Sequence, residues 1–513
     1  MFKNLKKEHI MCGIIGYISK DKQASTYAYV GLLQLQHRGK EGAMIATMVS
    51  DQTYCLEGGR GELGMAFIVP NSRDLRAKLI ADLQKENIGE DFQGEFPPPS
   101  IKAMAGNVAL GHTRYGTAGQ TTRYNLQPIP GKFNNNIFFI AHNGNLVNTR
   151  ELCTTTKSPD GCSDTRVIAD LISQSQAATF TNAILEVLPR LKGALSLVLM
   201  HDSKLYVARG SFGFHPLQIG KRDNDWIVAS ESCAFSALDA KLWRDVQPGE
   251  LIVISSDGPS DPIQWAEPNL KIDIFEYIYF LRPDSVVQGV EAGAARRLMG
   301  KYLAQEHPLD VDIIMPVPDS GNEAALGYWT ELFQNSAIIN KPVLDPWALF
   351  RPHTVSRTFI EPIAEDRSRF IKLKFNPRSQ VKGKRILLVD DSIVRGSTTK
   401  MLVTLLKRAG ATEVSLVVTS SPYYFPDFYG IDTYRVKNEI IARGIPGDDT
   451  EVAAKIAEML GLKDLGYLSL KKTIQAILDA NPDSGLTKDS FYTGVFSGEY
   501  PAGVGDFASV LQN

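Results

Sequence analysis

The clearest hydrophobic pattern in the chain lies at residues 385–400, which read RILLVDDSIVRGSTTK. Residues 386–389 form an unbroken apolar run, which is typical of a strand buried on both faces of a parallel sheet. Polar residues follow, including Asp390, Asp391 and Gly396. Apolar residues then recur at helical spacing, at Met401, Leu402, Leu405 and Leu406. The pattern predicts a strand, an acidic pair, a hydroxyl-rich loop and a helix.

Shorter apolar runs predict further strands in both halves of the chain. They lie near residues 11–17, 137–140, 194–200, 205–208, 313–317 and 414–419. Between the halves, residues 258–268 are rich in Pro, Ser and Asp, a composition typical of a linker. A chain of 513 residues that is 43% hydrophobic should form two or more domains with ordinary cores.

Composition and charge narrow the classes of function. The net charge is -2 and no long basic run occurs, which argues against nucleic acid or an anionic membrane as a partner. No run of eighteen apolar residues is present, so we expect no membrane span. The five cysteines are odd in number and lack C-x-x-C spacing. This usage favours a reducing, cytoplasmic location and argues against a disulfide framework or a zinc ribbon.

The residues after the strand at 386–389 suit a phosphorylated sugar. A helix N-terminus offers free N–H groups and a positive dipole end to a phosphate, and Gly396 lets the main chain come close. Asp390 and Asp391 would repel that phosphate, but they suit ribose hydroxyls or a Mg²⁺ shared with a pyrophosphate. No Gly-Lys-Ser/Thr is present, so this is not a Walker A loop. The alternative is an ordinary strand-to-helix turn with a capping hydroxyl and solvated carboxylates.

The complete string resembles the phosphoribosyl pyrophosphate (PRPP) signature of type I phosphoribosyltransferases, and most of all that of the amidophosphoribosyltransferase family. The resemblance implies that Asp390 and Asp391 hold the ribose and Mg²⁺. It implies that Ser320, in the PVPDSG turn, is a further Mg²⁺ ligand, and that Arg357, in an RTFI segment, belongs to a lid over PRPP. It assigns the remaining PRPP-binding residues as Ser392, Arg395, Gly396, Ser397, Thr398 and Thr399.

The N-terminal half carries a different set of motifs, beginning with Cys12 in the string MCGIIGY. If the mature chain began at Cys12, that residue would carry both a thiol and an α-amino group that can act as its base. Further motifs follow in order: QHRG at 36–39, GHTRYGTAG at 111–119, HNG at 142–144 and SDT at 163–165. Together they resemble the class II, N-terminal-nucleophile glutamine amidotransferases. Read singly, HNG could be a turn and SDT a helix cap.

The chemistry of glutamine fits these residue types. Arg114 can bind the α-carboxylate with its guanidinium fork, and Asp164 can accept from the α-ammonium. The Asn143 side chain and the Gly144 N–H can form an oxyanion hole for the tetrahedral intermediate. By resemblance, Arg38 of the HRG motif also belongs to the glutamine site.

The chain departs from the family pattern at several points. Lys40 replaces a usual Gln, Gly210 a usual Asp and His215 a usual Arg, while residues 352–356 differ in the lid. The first three lie outside the four glutamine-site roles. We therefore expect them to affect fine positioning more than the reaction, whereas the lid change bears on phosphoribosyl transfer because lid residues contact the transition state.

The resemblance covers nearly the whole chain, from Met11 to about Pro501. It implies a four-layer αββα glutaminase followed by a doubly wound parallel-sheet phosphoribosyltransferase. The expected divisions are 1–11 (a leader absent from the mature enzyme, cleaved or never translated), 12–262 (glutaminase), 263–470 (phosphoribosyltransferase) and 471–513 (C-terminal return).

The implied activity is the synthesis of 5-phosphoribosylamine from glutamine and PRPP, in purine synthesis. Purine nucleotides as inhibitors and a homo-oligomer, often a tetramer, belong to the same expectation. An iron–sulfur cluster is not expected, because the last cysteine is Cys233 and a cluster needs thiolates. Two alternatives stay open: a glutaminase that feeds another acceptor, and a PRPP-binding regulator without activity.

Overall fold

The computed structural model describes residues 11–50, 53–61, 63–67, 98–114, 125–156, 158, 162–335, 341–350 and 375–511. These residues form two compact units. One contains the described residues up to Asp273, together with Asp427–Thr433 and the chain from Tyr500. The other contains Ile274–Pro426 and Tyr434–Glu499.

The helices and strands account for most of the described residues. The helices are α1 (Ala24–Gln34), α2 (Leu63–Ala66), α3 (Pro99–Lys102), α4 (Thr149–Thr156), α5 (Asp164–Gln174), α6 (Phe180–Val187), α7 (Cys233–Ser236), α8 (Ala292–Glu306), α9 (Asn322–Gln334), α10 (Ser397–Arg408), α11 (Asp449–Leu460), α12 (Leu470–Ala480), α13 (Gly494–Ser497) and α14 (Ala508–Leu511). The strands are β1 (Gly13–Ile18), β2 (Gly42–Ser50), β3 (Thr53–Arg60), β4 (Val108–Arg114), β5 (Ile129–Phe133), β6 (Asn136–Asn143), β7 (Ser196–His201), β8 (Lys204–Arg209), β9 (Gln218–Arg222), β10 (Asp225–Ala229), β11 (Lys241–Asp245), β12 (Glu250–Ser255), β13 (Gly258–Pro259), β14 (Ile263–Gln264), β15 (Ile272–Asp273), β16 (Val286–Val287), β17 (Val290–Glu291), β18 (Ile313–Pro316), β19 (Val343–Leu344), β20 (Leu349–Phe350), β21 (Asn376–Pro377), β22 (Arg385–Asp390), β23 (Glu413–Val418), β24 (Leu465–Tyr467) and β25 (Phe491–Tyr492).

The first unit contains two seven-stranded antiparallel sheets. One runs β11-β9-β10-β1-β4-β2-β3, and the other runs β13-β12-β8-β7-β6-β5 with β14 also on β12. Successive side chains of a strand point to opposite faces, and β1 follows this rule. Ile14 lies in the apolar layer between the sheets, whereas Ile15 and Tyr17 pack in the layer that includes α1. A third layer joins the second sheet to α5 and α6. The predicted four-layer αββα arrangement is confirmed.

The segment at 258–268, predicted as a linker, is partly strand. β13 and β14 pair with β12 and extend the second sheet. The Pro- and Ser-rich composition marks the turns between very short strands, because such strands leave little room for an apolar run. The predicted division of the chain at 262 and 263 stays a prediction.

The second unit contains a five-stranded parallel sheet in the order β19-β18-β22-β23-β24. Ile386 and Leu388 of β22 pack in a cluster with residues of α10 and α11. The helix α9 contacts β18 and β22 and lies outside that cluster. Helices therefore cover both faces, and the predicted doubly wound sheet is confirmed. Within the part of the chain that the structure describes, no helix is both long and apolar enough to cross a membrane.

Candidate active site

The main chain of Cys12 is held by a buried arginine. Cys12 immediately precedes β1 and is 5% exposed. Arg38 donates from Nε to the Cys12 carbonyl at 3.1 Å, and its Nη1 lies 2.5 Å from Oε1 of Glu231. His37 Nε2 lies 2.8 Å from the same oxygen. The described contacts of Arg38 thus position the backbone of Cys12, and its predicted contact with glutamine stays a prediction.

Glu231 is a buried partner of Arg38 to which the sequence analysis assigned no role. Its side chain is fully buried and carries the charge that opposes Arg38. The neighbouring Ser230 accepts from the Ile14 N–H through its hydroxyl at 3.0 Å. The sequence signals were a pair of polar residues, Ser230 and Glu231, at the end of the apolar run 227–229, and the resemblance of the string WIVASESC at 226–233 to a strand of the family.

The strand β4 brings Arg114 next to Cys12. The antiparallel register places Gly13 opposite Thr113, so Cys12 and Arg114 are neighbours across the two strands. Arg114 is 1% exposed and donates from Nη1 to the Asn125 carbonyl at 2.7 Å. A buried, fixed guanidinium suits a carboxylate, which agrees with the predicted role in binding the glutamine α-carboxylate.

The end of β6 holds Asn143 and Gly144, the two residues predicted to form an oxyanion hole. Asn143 is buried, and its Nδ2 makes no hydrogen bond with another described residue, which leaves a donor for an oxyanion. Gly144 has φ +145°, and a Cβ there would lie 2.1 Å from the Ala194 carbonyl oxygen and 2.9 Å from Nε2 of His142. Only glycine fits this turn without moving the main chain.

Asp164 begins α5 on the same side of the pocket. Its Oδ1 accepts from the Thr165 N–H at 2.8 Å, and its Oδ2 accepts from the Leu146 N–H at 3.2 Å. Nδ1 of His142 lies 3.5 Å from Oδ2. Ser163 caps the helix by accepting from the Arg166 N–H at 3.3 Å. The carboxylate is thus fixed in orientation and 5% exposed, as a receptor for an ammonium requires.

His112 lies beneath this pocket on β4. Neither ring nitrogen completes a hydrogen bond with another described residue. Burial, together with the nearby charge of Arg114, lowers the pKa of His112 to about 3. The ring therefore stays neutral and adds no positive charge between the two ends of the pocket.

A second set of polar residues follows β22 in the other unit. The Asp391 N–H donates to Oδ1 of Asp390 at 3.0 Å, and the Ser392 hydroxyl donates to Oδ1 of Asp391 at 2.7 Å. Gly396 has φ +70° and precedes α10, whose first residues are Ser397, Thr398 and Thr399. This is the predicted strand, acidic pair, loop and helix. Arg395 lies in the loop with Nη1 3.4 Å from Glu439.

The turn after β18 brings Ser320 to the acidic pair. Burial raises the pKa of the Asp391 carboxyl, and hydrogen bonds from Ser320 and Ser392 oppose that rise. A Cβ at Gly321 would lie 2.3 Å from the Val389 carbonyl oxygen, so glycine permits this close approach.

These groups fit a magnesium ion of the kind that is shared with a substrate. Mg²⁺ is usually held by one or two carboxylates and by substrate phosphates, with water completing the octahedron. Asp390, Asp391 and Ser320 supply two carboxylates and a hydroxyl, and a cation would stabilise the charged form of the buried Asp391. Among the described residues no cluster of three His, Cys, Asp or Glu side chains suits a metal ion. The lid residues, Arg357 among them, lie outside the described residues.

Known proteins match this chain over a length that includes both sets of residues. A family model described as a glutamine amidotransferase domain matches residues 112–237. The amidophosphoribosyltransferase of Mycobacterium tuberculosis is 35% identical over 507 residues, covering 96% of this chain and 86% of the relative. That of Rhizobium etli is 34% identical and covers 96% and 92%. The chain belongs to the amidophosphoribosyltransferase family.

Solved structures agree with this assignment. The glutamine PRPP amidotransferase of B. subtilis, complexed with ADP and GMP, matches with a TM-score of 0.80 and 32% identity, over 96% of this chain and 98% of that one. A structure described as the allosteric regulatory enzyme of purine biosynthesis matches with a TM-score of 0.80 and 33% identity, over 96% of each chain. The family and the fold expected from the motifs are confirmed.

One departure from the family pattern has a visible role. His215 Nε2 lies 2.8 Å from the Tyr429 carbonyl oxygen. Tyr429 belongs to the segment Asp427–Thr433, which forms part of the same compact unit. The histidine thus ties this distant stretch of chain to the β8–β9 connection.

Proposed function

We propose that this chain makes 5-phosphoribosylamine, glutamate and pyrophosphate from glutamine, PRPP and water. The observation that supports the proposal is that a member of this family carries, buried in one unit, the residues expected to bind and cleave glutamine, and carries in the other unit the acidic pair and loop expected to bind PRPP. A glutaminase for another acceptor would need no such loop, and a regulator without activity would need no such pocket.

In the glutamine half, Arg114 binds the α-carboxylate and Asp164 binds the α-ammonium. The Cys12 sulfur attacks the carboxamide carbon, and the developing oxyanion receives hydrogen bonds from Nδ2 of Asn143 and the N–H of Gly144. Ammonia leaves and a thioester remains, which water hydrolyses to glutamate. The α-amino group of Cys12 takes the thiol proton and passes it to the leaving ammonia.

In the transfer half, the loop at 392–399 binds the 5-phosphate of PRPP, with its main-chain N–H groups and hydroxyls at the start of α10. Asp390 and Asp391 hold the ribose hydroxyls, and Asp390, Asp391 and Ser320 would hold Mg²⁺. When bound, that ion neutralises part of the charge that builds on pyrophosphate. Ammonia attacks C1 of the ribose and pyrophosphate departs. Arg357 and Arg395 are assigned to PRPP as well, from the family pattern.

The mature enzyme should begin at Cys12, because an α-amide in place of the amine would remove the base. Cleavage after Met11, or translation that starts at Met11 followed by removal of that methionine, would leave Cys12 as the first residue. Intact-mass measurement of protein from its native cell tests the point. Active enzyme that retains residues 1–11 would contradict it.

Several finer properties belong to the same proposal. We infer that purine nucleotides inhibit the enzyme, and the complex of the B. subtilis relative with ADP and GMP supports this inference. We also infer that the protein is a homo-tetramer in the cytoplasm. The absence of an iron–sulfur cluster also stays a prediction. Iron and sulfide analysis of anaerobically purified protein, nucleotide titration of the activity and light scattering test these points.

The function itself is tested by glutamate release from the purified chain, with and without PRPP. We expect PRPP to stimulate glutamate release, and we expect ammonia to replace glutamine in phosphoribosylamine synthesis. Glutamate release that does not change when PRPP is added would favour a glutaminase that feeds another acceptor. A lack of both activities would favour a PRPP-binding regulator without activity.

A further inference from the structure

His142 touches both ends of the glutamine pocket, although no role has been assigned to it above. It precedes Asn143 on β6, and the two side chains point to opposite faces of the strand. Phe138 and Ile140, which share the face of His142, pack in the layer that contains α5. The imidazole therefore lies on the side of Asp164, directly behind the oxyanion turn.

The Nε2 side of the ring supports the oxyanion turn. Nε2 lies 2.9 Å from the Ala194 carbonyl oxygen, and because a carbonyl only accepts, Nε2 carries the hydrogen and donates. That same carbonyl oxygen is the atom a Cβ at Gly144 would meet at 2.1 Å. The hydrogen bond thus fixes the position of the Ala194 carbonyl, against which the Gly144 turn packs.

The Nδ1 side of the ring faces Asp164. Nδ1 lies 3.5 Å from Oδ2 of Asp164, so the ring rests against the carboxylate. Nδ1 is buried and completes no hydrogen bond with another described residue. The imidazole therefore limits where the Asp164 carboxylate can lie. In the proposed function this is the carboxylate that binds the α-ammonium of glutamine.

We propose that His142 is a positioning residue that couples the two ends of the pocket, with Nδ1 setting affinity for the α-ammonium through Asp164 and Nε2 setting turnover through the oxyanion turn. This inference rests on the proposed function of the pocket. It assigns separate effects to the two ring nitrogens, which a general packing role would not produce.

The main chain at this position is held independently of the imidazole, so substitutions can be tested in folded protein. The His142 N–H donates to Oε1 of Gln127 at 2.6 Å, and Gln127 in turn donates to the Thr165 hydroxyl at 3.0 Å. His142 also pairs with Leu197 in the β6–β7 ladder.

Two variants separate the roles of the nitrogens. His142→Gln places a donor near the position of Nε2 but leaves nothing at Nδ1, whereas His142→Asn places a polar atom near Nδ1 but cannot reach Ala194. For His142→Gln we expect KM for glutamine to rise about tenfold with kcat within about twofold. For His142→Asn we expect kcat to fall about tenfold with a smaller change in KM. Ammonia-dependent synthesis should stay unchanged in both, which shows that the variants are folded.

A glutamine analogue sharpens the test. Glutaramate is glutamine without its α-amino group, so the effect of His142→Gln should disappear with this substrate while the effect of His142→Asn persists. Equal losses in KM and kcat for both variants with both substrates would overturn the proposal, as would wild-type kinetics in both. If wild-type protein hydrolyses no glutamine at all, the proposed function fails first and this inference fails with it.

Discussion

The two sites of this chain are built in opposite ways. The proposed glutamine pocket gathers Cys12, Arg114, Asn143 and Asp164 from four separate parts of the fold, and none of these residues is more than 5% exposed. The PRPP loop takes most of its residues from one continuous run, 390–399, and most of them are only partly buried. A pocket assembled from distant positions depends on buried supporting residues, whereas a continuous loop carries its geometry in its own turn residues and helix start.

The sharpest test of this separation is removal of the nucleophile. Cys12→Ala should abolish glutamine-dependent synthesis and leave ammonia-dependent synthesis largely intact, because the substitution touches one site only. Both rates are measured on one preparation, with Cys55→Ala on β3 as a matched thiol control. Equal loss of both activities in Cys12→Ala would contradict the conclusion that the two sites are separate.

Asn143→Ala tests the dispersed site without removing its nucleophile. The loss of one oxyanion donor should lower kcat for glutamine by roughly 10²–10³. Ammonia-dependent synthesis should not change. A variant that lost less than about tenfold would show that the unpaired Nδ2 of Asn143 does not meet the oxyanion.

Asp391→Asn is the reverse experiment on the continuous site. Loss of a charged ligand should lower ammonia-dependent synthesis at least about tenfold and weaken the response to Mg²⁺. Basal glutamate release without PRPP should persist, because Cys12 and its pocket lie in the other unit. Full synthesis in this variant would remove the assignment of the acidic pair.

The buried support of the glutamine pocket can also be detected by its pH dependence. The pKa of His112 is lowered to about 3 in the folded protein from an ordinary value of 6.5. The unfolded chain therefore binds a proton at a pH where His112 of the folded protein stays unprotonated. As a result, the free energy of unfolding decreases as the pH falls below the pKa of the unfolded chain. Between about pH 6.5 and 5, protonation of this single group in the unfolded chain should lower the free energy of unfolding by about 2 kcal/mol.

His112→Asn should remove that part of the pH dependence. The measurement is the difference in Tm between about pH 7.5 and 5, compared for wild type and variant so that the variant's general loss of stability cancels. We expect the wild type to lose more Tm than the variant. Equal losses would show that His112 titrates normally.

Sequence reasoning reached the two sites unequally. The strand, acidic pair, loop and helix at 385–408 were predicted in order, because the apolar run, the acidic pair and Gly396 are adjacent in the chain. In the other unit the motifs were recognised, but the contact of Glu231 with Arg38 and the contacts of His142 were not predicted. Their roles depend on which strands become neighbours, and one polar residue at a strand end does not reveal its partner across the sheet.

The fold shows the same limit. Continuous apolar runs predicted at least one strand in each of the three large sheets, since a buried strand leaves a direct pattern in the sequence. These strands are β1, β6, β7, β8, β18, β22 and β23. The strands β13 and β14 were missed because two residues are too few to show a period. The inclusion of Asp427–Thr433 in the first unit was also beyond prediction, because it rests on contacts such as that of His215 with Tyr429.

The central claim is that one chain couples two reactions at two separately built sites. The most direct measurement is the amount of glutamate and of pyrophosphate released in the same reaction with glutamine, PRPP and Mg²⁺. The account predicts equal amounts of the two products, and no pyrophosphate when Cys12→Ala is given glutamine without ammonia. Rapid glutamate release with no pyrophosphate in the presence of PRPP would contradict it.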